Sequence, residues 1–395
     1  MNRTRDISLL TLQDIEDAIK AANSGILQRI SIDEINKRHG AIRDASRLQA
    51  LVTMARKSED KTLHLYGSNN LENVLEGLCS YAPALTAIRL NKEISLGLNR
   101  SSRRKSLIYA KNKIINTDMQ KYSEVIKGRT IDLCCISGAE RQYLSPLFTT
   151  REHSAVKSAP AMSQSLTEIF KEIGKGDFNN LDGDLIRDFG FFTCELFKNT
   201  QEHARTDVNG SPLPGHVEGI IASFINLEAN MFEEDFSSHP RLREYLISRA
   251  DESPGVDKLR CIQISFFDTG PGITGRAFGN KYYEGDRGEE KTALLSCLKK
   301  NFTSKNQTGA GNGYLTILTQ LKKIGGLIRI RTGRHCIFNC FEKDNDSQVK
   351  NNIRIDDDEL MNFDDWTSDN LGLAAGTVVS ILVPLRNESG QSSLF

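Results

Sequence analysis

Six residues that follow the apolar run Cys261 to Phe267 carry the densest chemical information in the chain: Asp268-Thr269-Gly270-Pro271-Gly272-Ile273. A lone carboxylate followed by two glycines, where a strand stops, can read the polar edge of a ligand while the backbone bends closely around it. The same letters also suit an ordinary turn, since Asp-x-Gly and Pro-Gly pairs are common turn chemistry. Upstream, Glu195, Asn199 and His203 are spaced by four, which stacks a carboxylate, an amide and an imidazole along one stripe of a helix. Glu195 can polarise a water, and the Asn199 side-chain carbonyl is the kind of oxygen ligand that Mg²⁺ prefers. A solvated polar stripe is the competing reading. Downstream, Phe302-Thr303-Ser304-Lys305 leads to Gly309, Gly311 and Gly313, and then to a helix-like run from Thr316 to Ile324. Glycines that open a helix present free backbone N–H groups and the positive end of the macrodipole to an anion, for which phosphate is the natural guest. The competing reading there is a flexible loop. A Rossmann turn does not fit, because the glycines follow a polar segment, and the chain has no G-x-x-x-x-G-K-[ST] phosphate loop.

The elements that must position these groups follow from periodicity. Beyond Met162, long helices alternate with strongly apolar strands at Val217 to Leu227, Leu259 to Phe267, Leu327 to Arg331 and Thr377 to Pro384. Residues 229–258, with acidic Glu233-Glu234-Asp235, and residues 341–370, rich in Asp and Asn, read as surface insertions. The first third reads as a smaller α/β domain ending near residue 155. Thr11 caps a helix bearing Leu12, Ile15 and Ile19, and Ser31 with Glu34 forms a capping box for a second helix. Strands are expected at Thr62 to Tyr66 and Thr130 to Ile136, with a helix over Leu71 to Cys79 between them, and Glu152 to Ala161 is the linker candidate.

Composition narrows the function. The 395 residues carry 51 basic and 51 acidic side chains, so no global field draws the chain to nucleic acid or to an anionic membrane. A local basic stretch, Arg100, Arg103, Arg104, Lys105, Lys111 and Lys113, reads as a solvated face without stacking aromatics beyond Tyr109. The eight cysteines lie mostly in apolar runs without a C-x-x-C pair, which points to buried thiols in a reducing, cytoplasmic compartment. No stretch has the length and apolarity of a membrane span. His335, Cys336 and Cys340 are metal-ligand types, but on a strand the two thiols share a face that the imidazole does not, and a fourth ligand is missing.

Taken in order, and closed by Gly376-Thr377 entering the last strand, these segments resemble the GHKL ATPase superfamily of type II topoisomerases, large heat-shock chaperones, MutL proteins and sensor histidine kinases. The match covers about residues 180–388. Gly325-Gly326-Leu327 and Ile381-Leu382-Val383-Pro384 look like the histidine-kinase branch. The resemblance implies a two-layer α+β sandwich, the Bergerat ATP-binding fold, with a mixed sheet and helices on one face, occupying residues 156–395 behind the N-terminal domain. It implies that ATP and Mg²⁺ bind there: Asp268 accepts from the adenine amino group, Thr377 supports it, and Gly270 and Gly272 shape the turn. Asn199 would hold Mg²⁺, with His203 alongside and Gly309, Gly311 and Gly313 around the phosphates. Glu195 would act as general base, Lys305 would reach the γ-phosphate, and the segment from Thr274 to Gly309 would close as a mobile lid. Slow ATP hydrolysis by a nucleotide-driven switch is the expected activity; phosphorylation of a separate partner, or ATP sensing without turnover, are the alternatives. The expected partners are a second copy in an ATP-dependent homodimer and a protein met by the N-terminal domain. Two departures stand out. Asn312 and Tyr314 replace the usual leucines of the glycine box, and none of His39, His64 and His153 has the acidic neighbour and downstream proline of a phosphoacceptor.

Overall fold

The computed structural model describes residues 4–203, 205–213, 215–228, 234–236, 239–251, 258–299, 313–342 and 360–385. The N-terminal part runs β1 (Thr4–Ile7), α1 (Leu12–Asn23), β2 (Leu27–Ser31), α2 (Ile32–Ile35), α3 (Ala41–Lys57), β3 (Thr62–Tyr66), α4 (Leu71–Cys79), α5 (Ala82–Leu90), β4 (Glu93–Leu96) and β5 (Asn99–Ser102). Its sheet has the sequential order β1-β2-β3-β4-β5, with β1 to β4 parallel and β5 returning antiparallel. Thr11 caps α1 as expected, in a reciprocal box with Asp14. The Ser31 box does not form: Ser31 accepts from the Asp33 amide, α2 stops after one turn, and Glu34 instead accepts from the Leu9 amide.

The remainder runs α6 (Arg103–Ser106), α7 (Lys111–Asp118), β6 (Thr130–Ile136), α8 (Ala159–Gly174), α9 (Gly183–His203), β7 (Val217–Glu228), α10 (Pro240–Asp251), β8 (Lys258–Asp268), α11 (Ile273–Phe278), α12 (Arg287–Lys299), α13 (Gly313–Ile324), β9 (Leu327–Gly333), β10 (His335–Cys340), β11 (Asp364–Asp365) and β12 (Ala374–Pro384). Its sheet is β11-β10-β9-β12-β8-β7-β6, antiparallel at every pairing rather than mixed. Strand β6, which the sequence grouped with the N-terminal part, is an edge of this sheet, paired along its whole length with β7. The expected linker is not a free tether either, since Lys157 donates to Leu147 and Thr149 to Ala155.

Alternation along the strands divides this sheet into two buried faces. Ile262, Ile264, Phe266, Ile328, Ile330, Val379 and Ile381 meet Phe192, Leu196, Phe197, Ile317 and Leu318 of α9 and α13. On the other face, Phe267, Val378, Leu382 and Leu327 share a core with α1, α3 and α5. The sheet is therefore covered on both sides, not on one, and the chain stacks as helices, seven-stranded sheet, helices and five-stranded sheet.

The interface between the halves is unusually polar. Helix α3 buries Arg43, Asp44, Ser46, Arg47, Gln49 and Thr53, and its first turn donates from the Ala41 amide to Ser223 Oγ and from the Ile42 amide to Gln263 Oε1. Arg331 on β9, fully buried, makes a bidentate pair with Glu16 of α1 at 2.8 Å. Lys113, read from sequence as part of a solvated basic face, is buried 2.9 Å from Asp132 of β6.

Both proposed insertions contribute to the core rather than lying wholly outside it. Leu242, Tyr245 and Leu246 of α10 are buried, and Asp235 and Glu234 pair with Arg43 of α3. Trp366 is buried with the Arg329 guanidinium 4.9 Å from its ring centroid. All eight cysteines are free thiols. Among the described residues no helix is long and apolar enough to cross a membrane.

Candidate functional site

The apolar face beneath α9 ends in a row of polar side chains. Glu218 on β7 stands opposite Asp268 on β8, and Thr377 on β12 stands opposite Thr332 on β9. The two pairs are joined where the Thr377 amide donates to Asp268 Oδ1 at 3.2 Å. These positions continue the inward alternation Ile220-Ala222-Phe224, Ile262-Ile264-Phe266, Val379-Ile381 and Ile328-Ile330, so the sheet puts all four on the face that carries α9.

Asp268 is the centre of this row. Its Oδ1 also accepts from the Gly270 amide at 2.8 Å, closing the turn as an Asx motif. Burial pushes the Asp268 carboxyl up to about 6, although the Gly270 and Thr377 amides and the Thr377 hydroxyl favour its charged form. The loop is held from several sides. Tyr283 Oη donates to the Pro271 carbonyl at 2.6 Å and accepts from the Gly275 amide at 2.8 Å, while Thr332 Oγ1 accepts from the Ile273 amide at 3.0 Å. Gly272 has φ +83°, and a Cβ on it would lie 2.8 Å from Tyr283 Oη and 2.9 Å from Thr332 Oγ1. Gly376 has φ +75°, donates to the Gly270 carbonyl, and would drive a Cβ to 2.1 Å from the Asp268 carbonyl. Only glycine fits either place, so the opening Gly270-Pro271-Gly272 bend and Gly376-Thr377 form one interlocked unit.

Helix α9 spans Glu195, Asn199 and His203 as the spacing required, and packs across β7 and β8. Asn199 is half-buried. Glu195 has a side-chain exposure of 32 %, and one of its oxygens accepts from Lys198 Nζ at 3.4 Å. The His203 side chain lies outside the described residues, as do Lys305, Gly309 and Gly311; Gly313 begins α13. Tyr314, the departure next to it, is half-buried against the core, and its phenol is pushed above its usual range by burial first and then by the Asp268 charge.

The expected lid is in part a fixed structure. Residues 274–299 form α11, a short turn and α12, whose Leu294 and Leu298 are buried in the core. Buried Glu290 accepts from the Arg334 backbone and guanidinium, and Arg287 donates to the Leu371 and Arg334 carbonyls, which ties α12 to the β9–β10 hairpin. Thr274 to Lys299 is thus packed down rather than loose, and residues 300–312 lie outside the described residues.

Sequence reading missed Glu218, Gln201, Thr332 and Tyr283. Glu218 is fully buried, and burial pushes its carboxyl up to about 8, only partly offset by the Gln201 amide and Arg205. Neither Glu218 oxygen and neither end of the Gln201 amide reaches good hydrogen-bond geometry among the described residues. The alternation of β7 and β9 contained the signal, since Glu218 and Thr332 each replace an apolar residue in an otherwise apolar inward series.

The three histidines weighed as phosphoacceptors do not lie in helices. His39 sits in the loop before α3, pushed down to about 4 by burial and by Arg47, Arg43 and Lys37. His64 lies on β3 between Asp60 and Ser95, and His153 lies in an exposed turn.

The row therefore holds one buried carboxylate at a glycine-lined bend, with one half-buried amide side chain, Asn199, on the helix that packs across β7 and β8. No model of a known protein family, no curated protein and no solved structure matches the chain.

Proposed function

We propose that the chain binds Mg-ATP in a Bergerat-type pocket formed at the polar end of the seven-stranded sheet. The observation that carries this reading is Asp268 Oδ1 held jointly by the Gly270 and Thr377 amides. Two fixed donors on one oxygen orient the carboxylate and leave the second oxygen's lone pairs for the amino group of adenine. Asn199 would supply an oxygen to Mg²⁺ and Lys305 a charge to the γ-phosphate; the metal would neutralise phosphate charge. The dimerisation and partner contact through the N-terminal domain that the resemblance implies, and the cytoplasmic location that the cysteine usage points to, belong to the same proposal.

Slow hydrolysis with Glu195 as general base is the first form of this activity. The second is nucleotide sensing without turnover, favoured by the Glu195–Lys198 contact, because one carboxylate oxygen is already engaged by an ammonium rather than left to meet a water. Transfer to a separate protein is a further form, and the placement of His39, His64 and His153 argues against an acceptor within the chain. Calorimetric titration with ATP, with and without Mg²⁺, tests the reading: binding at about low millimolar affinity or better, within the range of enzyme–substrate interactions, is expected. Absence of binding under both conditions overturns it.

A further inference from the structure

The helix that joins the two halves also holds the candidate site from behind. Gln49, Thr53 and Arg56 follow one another at i, i+4 and i+7 and so share one face of α3. Gln49 Nε2 donates to the Gly376 carbonyl at 3.2 Å and to the Arg331 carbonyl at 3.0 Å. Thr53 Oγ1 accepts from the Ala375 amide at 3.0 Å, and Arg56 donates to the carbonyls of Thr269 at 3.3 Å and Gly215 at 2.9 Å. The contacts to Arg331, Ala375, Gly376 and Thr269 fall on backbone within two residues of Thr332, Thr377 or Asp268. Thr269 follows Asp268, and Gly376 precedes Thr377 and donates to Gly270.

These are side chain to backbone bonds at buried or half-buried positions, where a lost partner is not readily replaced by water. The backbone they grip has little freedom of its own, because Gly376 is wedged against the Asp268 carbonyl. A shift of α3 along its axis therefore moves the peptide on each side of the Asp268–Thr377 bond, not one side alone.

We infer that Gln49, Thr53 and Arg56 are positioning residues for the base-reading carboxylate, so that the N-terminal domain is a working part of the nucleotide site. The inference rests on the nucleotide reading given above. Through α3, any load on the five-stranded domain reaches the Asp268 loop, and the phosphate end of the site, which α13 and Asn199 would serve, is spared.

That division supplies a readout that a merely structural role would not move. Gln49→Met keeps the side-chain length and removes the amide, Arg56→Met removes the guanidinium, and Arg56→Lys restores a donor. In the full chain, calorimetry should show ATP binding weakened about tenfold in Gln49→Met and in Arg56→Met, as expected for loss of one buried hydrogen bond. Binding of inorganic tripolyphosphate should stay unchanged in both, and Arg56→Lys should recover part of the ATP affinity. ATP affinity equal to that of the unaltered chain in both Met variants overturns the inference while leaving the nucleotide reading in place. Parallel loss of ATP and tripolyphosphate also overturns it, because the effect is then general loosening. Should Gln49→Met fail to fold, the half-buried Arg56 pair decides the matter. Failure of the unaltered chain to bind ATP removes both readings at once.

Discussion

Glu218 stands directly opposite Asp268 across the β7–β8 ladder, which places two buried carboxyl groups side by side on the face beneath α9. Like charges at this spacing repel, and each group's proximity raises the cost of ionising the other. Asp268 has two amide donors to offset that cost and Glu218 has none of comparable geometry, so Glu218 is the one that keeps its proton near neutrality.

Stability should therefore depend on pH through Glu218. Its carboxyl is raised from 4.5 to about 8 in the folded chain. The unfolded chain releases this proton first as pH rises, so the contribution to stability falls progressively between those values and is constant above pH 8. Glu218→Gln should match the unaltered chain near pH 4.5 and exceed it by up to about 5 kcal/mol at pH 9. Denaturant unfolding at the two pH values measures this difference; a variant no more stable at pH 9 contradicts it.

Base recognition should have an acid limit set by Asp268. The carboxyl must be ionised to accept from an adenine amino group, and it protonates as pH falls through about 6. Adenosine, which carries no phosphate to titrate in that range, should bind more weakly at pH 5 than at pH 7.5. Affinity that does not change between the two rules out an ionised Asp268 as the acceptor.

Glu195 decides between turnover and sensing. If the chain hydrolyses ATP with Glu195 as base, Glu195→Ala should lower phosphate release by about a hundredfold or more and leave ATP affinity nearly intact. Undiminished release in the variant removes Glu195 from that role.

The two halves should separate energetically at Glu16 and Arg331. Glu16→Ala leaves the fully buried Arg331 guanidinium without its carboxylate, a change that costs about 3–5 kcal/mol where a buried pair is broken from one side. A loss below about 1 kcal/mol, the scale of an exposed pair, contradicts the burial on which the interface account depends.

Much of this architecture was legible in the sequence, and the exceptions share a cause. Strands β7, β8, β9 and β12 announced themselves as apolar runs bounded by turns, and Glu195 and Asn199 fell on one helix as their spacing required. Helix α3 was invisible because Arg43, Asp44, Arg47 and Gln49 interrupt its apolar period, and those residues are buried only because distant segments supply their partners: Asp235 for Arg43, Tyr81 for Asp44, the Leu9 carbonyl for Arg47 and the Arg331 carbonyl for Gln49. The pairing of β6 with β7 lay beyond reach, since an isolated apolar strand carries no mark of which distant partner it joins. Glu218 escaped for a related reason. One carboxyl in an apolar strand reads as a surface position until the neighbouring strand brings Asp268 opposite it.

Asp268 is the residue on which base recognition depends. Calorimetric titration of Mg-ATP at pH 7.5 into the unaltered chain and into Asp268→Asn compares it directly. The amide places an N–H₂ group where the carboxylate has an acceptor, so ATP affinity should fall by about tenfold or more, the scale of one misplaced buried hydrogen bond. Equal affinity in the two proteins would show that adenine is not read by Asp268 and that the site lies elsewhere.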